Sequence, residues 1–153
     1  MISHWYTHKI GPARKEKASD PQKQRVYRME REWIGSAVDT TVPLDKLRAI
    51  TKHACRAAGV RCPKVRVYRK KERIFGYCTD EAIMLNASFH GQNLAVLLHE
   101  LAHWITDRKY PDATSHGPWF CTVYRQLLDD YRLLPAFAFD GLAEKWGVEH
   151  NGI

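Results

Sequence analysis

Leu94-Ala-Val-Leu-Leu-His99-Glu100-Leu-Ala-His103-Trp104 is the stretch around which the rest of the chain organises. At about 100° per residue, Leu94, Leu97, Leu98, Leu101 and Ile105 fall on one side of a helix. His99, Glu100 and His103 fall on the other. The spacing predicts a helix from Asn93 to about Asp107, closed by the break at Tyr110-Pro111. Its apolar side faces a core and its polar side faces something other than water, which makes it a central helix. A polar triplet in such a place needs a partner, because an unsatisfied buried polar group is costly.

A metal ion is the partner that the residue types suggest. Histidines four apart stand one turn above each other on the same face. Two neutral imidazole nitrogens at about 2.0–2.1 Å suit a tetrahedral zinc ion and leave corners for a third ligand and a water. Chance places one His-Glu-x-x-His in about 2% of shuffled chains of this composition, so the pattern is specific. The third ligand comes from beyond the helix. His116 is the first candidate, since Gly117 and Pro118 after it set a shoulder at the start of another helix. Asp112 and Asp129 are weaker alternatives. Trp104, Ile105 and Thr106 replace the continuation that a metzincin would need.

Working outward, Pro43 to Ala58 reads as a helix stopped by Gly59. Lys64-Val-Arg-Val-Tyr68 alternates charged and apolar residues, the signature of a strand with one wet face. Lys70-Lys71-Glu72 turns the chain, Arg73 to Cys78 returns it, and Ala82 to Asn86 forms a third strand. Helices follow from Pro118 to about Tyr131 and from Asp140 to Trp146, the last ending at Gly147. Arg25 to Trp33 suits a strand or a short helix equally. The order gives an α+β domain: a small antiparallel sheet packed on helices, with a central active-site helix.

With 153 residues the chain is one domain in length, and 44% apolar with 27% charged residues is an ordinary globular composition. Residues 1–24, mostly polar and broken at Gly11-Pro12 and Asp20-Pro21, read as a flexible N-terminal arm; 25–153 form the single domain. No apolar run exceeds the five residues Leu94 to Leu98, against the roughly 20 of a membrane helix. The first residues also lack a secretory apolar stretch, so the expectation is an intracellular protein, cytoplasmic or nucleoid-associated, with no membrane partner.

The net charge is +7 and is unevenly placed. Arg61, Lys64, Arg66, Arg69, Lys70, Lys71 and Arg73 face only Glu72 within 61–73. Such a cluster suits nucleic acid, held by counterion release, and suits equally a solvated strand edge that resists aggregation. Cys55, Cys62, Cys78 and Cys121 contain no C-x-x-C pair and read as reduced, buried thiols.

His99-Glu-Leu-Ala-His103 followed by His116-Gly-Pro-Trp-Phe120, with Gly76-Tyr-Cys and Ile83-Met-Leu-Asn86 upstream, resembles the SprT-like zinc metallopeptidase domain. That family includes the catalytic core of Spartan-type proteases of DNA–protein crosslinks. The resemblance covers approximately residues 43–131 and is most specific at 94–120. It implies a zincin-like fold, zinc held by His99, His103 and His116, and Glu100 as general base for peptide hydrolysis. It also implies that Ile83 to Asn86 is an edge strand on which an extended protein or peptide substrate pairs. That family often carries a cysteine zinc ribbon after its catalytic core, and residues 122–153 here contain no Cys. Tyr110 and Tyr124 are candidate oxyanion donors. Two other readings stand beside the peptidase: a nucleic-acid-binding module in which zinc is structural, and an inactive zincin used for docking.

Overall fold

The computed structural model describes residues 19–151. Its elements are α1 (Lys23–Ile34), a 3₁₀ turn (Gly35–Asp39), α2 (Leu44–Ala58), β1 (Lys64–Tyr68), β2 (Gly76–Cys78), β3 (Ala82–Asn86), α3 (Leu94–Lys109), α4 (Pro118–Asp130) and α5 (Ala136–Trp146). Five helices and one three-stranded sheet make an α+β domain, as expected. No helix among the described residues is long and apolar enough to cross a membrane.

The helix α3 runs through the middle. Asn93 caps it, its side chain accepting a hydrogen bond from the Val96 amide at 2.9 Å. Every residue from Ala95 to Thr106 is buried, on the polar side as well as the apolar one. It packs against α4, the sheet, α2 and the 3₁₀ turn. A helix covered all round is a core element, and its sequence explains why: leucines serve one side, and the histidines and Glu100 must be served by chemistry on the other.

The sheet departs from expectation. Its order is β1-β3-β2, with β1 parallel and β2 antiparallel to β3, so it is mixed and not antiparallel. β1 and β2 do not form a hairpin, and β3 is the interior strand and not an edge. The reason lies in the residues of β3. Ala-Ile-Met-Leu-Asn is buried at four of its five positions, which an interior strand provides and an edge does not. Asn86 fixes the crossover. It is fully buried, and its side-chain amide donates to the carbonyls of Lys70 (3.1 Å) and Ile74 (3.0 Å). Its backbone amide donates to Phe75 at 2.8 Å, so the chain between β1 and β2 wraps around this one residue.

Gly91 completes that packing. A Cβ there would lie 2.1 Å from the Phe75 carbonyl oxygen and 2.4 Å from the Asn86 nitrogen, both backbone atoms that cannot swing aside. Gly91→Ala is therefore expected to lower the unfolding free energy by about 2–3 kcal/mol through overpacking. A urea titration followed by circular dichroism would measure this; an unchanged midpoint would remove the crossover's role.

The helix boundaries follow local signals where these exist. Gly59 (φ 71°) and Gly147 (φ 66°) take the left-handed conformation and end α2 and α5, as expected. Arg25 to Trp33 lies within a helix, α1, which buries Val26, Tyr27, Met29, Glu30 and Ile34 at helical spacing. By contrast α5 starts at Ala136, four residues before the expected Asp140. Its first free amide is met from outside, by the Asp129 carboxylate at 2.9 Å. Of the expected N-terminal arm, residues 1–18 lie outside the described residues. Its last residues are built into the fold: Gln22 is buried and Lys23 opens α1. All four cysteines are free thiols; Cys55, Cys78 and Cys121 are buried, whereas Cys62 is exposed.

Candidate metal centre

One turn of α3 brings the His99 and His103 rings to 5.0 Å between centroids. His116, on the shoulder after α3, comes within 5.6 Å of the first and 4.6 Å of the second. One ring nitrogen from each of the three lies within 4.8 Å of the others, so a single ion could bond all three. All three side chains are buried.

The shoulder is fixed by its neighbours. Gly117 donates to the Thr114 carbonyl at 3.2 Å, and a Cβ at Gly117 would stand 1.9 Å from the Thr114 hydroxyl oxygen. Pro118 then opens α4 without needing an amide partner. Gln22 donates from its side chain to the His116 carbonyl at 3.1 Å. Phe120, in the first turn of α4, lays its ring 4.5 Å from His103, 5.0 Å from His116 and 5.4 Å from His99, an apolar wall beside the three imidazoles.

Two carboxylates hold the rings from behind. Glu30 of α1 lies 2.6 Å from Nδ1 of His99, and Asp20 lies 2.7 Å from Nδ1 of His116. Asp20 also accepts from the His116 backbone amide at 3.0 Å. With a carboxylate at Nδ1, each ring carries its proton there and turns the Nε2 lone pair the other way. Nε2 of His116 is buried and meets no hydrogen-bond partner among the described residues. A buried lone pair beside two further imidazoles is chemically suited to a cation. Burial holds the His116 pKa below the ordinary histidine value, against the opposing hydrogen bond to Asp20, and so favours the neutral, ligating form. Asp20 is itself lowered: burial raises it, and its contacts with His116 together with the nearby Lys23 charge outweigh that.

Glu100, the candidate base, is fully buried on α3 immediately after His99. Asp112 and Asp129 lie outside the three-histidine group. Asp129 caps α5, and Asp112 is exposed on the loop after α3. Of the two tyrosines named as oxyanion donors, one has its hydroxyl bonded to Glu30 and the other stacks on an indole. Tyr124 donates its hydroxyl to Glu30 at 2.6 Å, and burial followed by the Glu30 charge raises its pKa far above the ordinary phenol. Tyr110 stacks on Trp119 with ring centroids 4.1 Å apart. His90 pairs with Asp39 at 3.2 Å, His53 with Tyr131 at 2.7 Å and His150 with Asp140 at 3.2 Å, all outside the cluster.

Sequence reasoning missed Asp20 and Glu30. Asp20-Pro21 read only as a chain break, and Glu30 carries no spacing signal relative to His99. The one hint is a Glu at a position whose helical neighbours Val26, Met29 and Ile34 are all apolar.

The basic residues of 61–73 are all exposed. Arg48 and Lys52 of α2 join Lys64 and Arg66 of β1 along a surface groove, which enlarges the positive patch.

Fold and site together define an α+β domain with a buried three-histidine group able to hold a metal ion. No protein-family model, no curated protein and no solved structure matches the chain.

Proposed function

We propose that this protein is a zinc metallopeptidase of the SprT-like, zincin type, with His99, His103 and His116 as ligands and Glu100 as general base. The convergence of the three histidines from two separate segments supports this reading most strongly. Imidazole nitrogens suit zinc, and three protein ligands leave the open position of a catalytic site, whereas structural zinc sites close with four. Bound there, the metal would supply Lewis acidity that lowers a water's pKa to near neutrality. Glu100 then acts on protons: its carboxylate accepts one from the attacking water and delivers it to the departing amine. Since β3 is interior, an extended substrate would add instead to β2, the outer strand that packs against α3.

Metal analysis of the purified protein tests the reading, run beside a casein assay with and without chelator. Stoichiometric zinc with chelator-sensitive cleavage supports it. Zinc without cleavage points to an inactive zincin.

The exposed basic patch favours a second reading, a nucleic-acid-binding module in which the metal is structural. Both can hold together, with the patch bringing the peptidase to protein substrates on DNA. If the patch binds DNA, affinity should fall steeply with salt and survive Glu100→Gln. Fluorescence anisotropy at two salt concentrations measures this, and salt-independent binding contradicts it.

A further inference from the structure

Resting on the metal-centre reading above, we infer that Asp20 and Glu30 are positioning residues of this centre. They fix the ring orientation of His116 and His99 and balance the ion's charge, so that metal affinity is linked to the docking of residues 20–34.

Three neutral imidazoles bring no charge to a divalent cation. A buried double charge without compensation is unfavourable, and the nearest fixed anions decide its cost. Glu30 and Asp20 meet the need from directly behind two of the ligands; their side chains are 1% and 17% exposed. Each is itself held. Glu30 Oε2 accepts from the Tyr124 hydroxyl as well as from His99, and Asp20 accepts from both the ring and the amide of His116. Between them, Gln22 ties the same segment to the far end of the domain: it donates to the Glu149 carbonyl at 2.9 Å and accepts from the Glu149 amide at 2.7 Å. The segment thus touches two ligands through carboxylates and the backbone of one through an amide. Loading the ion tightens these contacts, and undocking the segment frees the rings to rotate.

Glu32 provides the control. It lies on the same helix and anchors α1 to α5 through Lys145 and through the Trp146 ring nitrogen (2.6 Å), and neither of these bonds goes to a ligand. The experiment measures zinc affinity of the full chain by competition with a chromophoric chelator, for wild type, Asp20→Asn, Glu30→Gln and Glu32→Gln. The two positioning variants should bind zinc about 10–100-fold more weakly, and Glu32→Gln should bind as wild type does. The cobalt-substituted wild type should also differ in its visible d–d band from Glu30→Gln, but not from Glu32→Gln. Hydrogen exchange of the wild type serves if a variant does not fold: zinc should slow exchange within residues 20–34. Equal zinc affinity in all four proteins overturns the inference alone, as does a loss in Glu32→Gln as large as in the other two. Unchanged exchange in 20–34 on adding zinc overturns it as well. A wild type that takes up no zinc overturns the metal-centre reading, and this inference with it.

Discussion

On the proposed zinc-peptidase reading, Glu100→Gln is expected to retain zinc and lose between 10²- and 10⁴-fold of the peptidase rate, the range set by removing a general base. Gln matches Glu in shape but cannot accept a proton, so the exchange isolates the acid–base step from packing. Glu100 lies inside a buried stretch of helix, where an exchange of equal volume neither opens a cavity nor overpacks. The loss should fall on kcat, with KM little altered, as the carboxylate serves the transition state more than substrate binding. Initial rates on a fluorogenic peptide, with zinc content measured on the same sample, decide it. Full activity in a zinc-loaded Glu100→Gln protein would remove Glu100 from the base role.

Removing the ion should have the largest effect on stability. A ligand at about 1,000 times its dissociation constant stabilises the folded state by about 4.1 kcal/mol. For a chain of this size each kcal/mol moves Tm by about 2–4 °C, so chelation should lower Tm by about 8–16 °C. His116→Ala should purify without stoichiometric zinc and melt close to the chelated wild type, with no further drop on adding chelator. Differential scanning calorimetry measures both. A chelator-insensitive wild-type Tm would mean that the three imidazoles bind nothing the fold depends on.

The site was more legible in the sequence than the surroundings that hold it. His99 and His103 declare themselves because helical spacing is local, and His116 follows because Gly117-Pro118 after it forces a shoulder. The structure brings these three together. Asp20 and Glu30 leave no local trace, since their meaning arises only when α1 packs beside α3 and α4. The sheet failed for the same reason. Alternation within Lys64–Tyr68 identifies a strand, but pairing is decided by which strand needs cover on both faces, and that strand is Ala82–Asn86. The start of α5 was displaced because its cap comes from Asp129, in another helix. Helical periodicity and the stops at Gly59 and Gly147 agree with the structure, whereas the returning strand begins at Gly76 and not at Arg73, and partners distant in sequence leave no local signal.

X-ray absorption at the zinc edge of the purified protein tests the central claim most directly. Three imidazole nitrogens and one oxygen at about 2.0–2.1 Å are the predicted shell, with three nitrogens falling to two in any residual zinc bound by His116→Ala. A shell containing sulfur at about 2.3 Å, or a protein with no zinc to measure, would contradict the account.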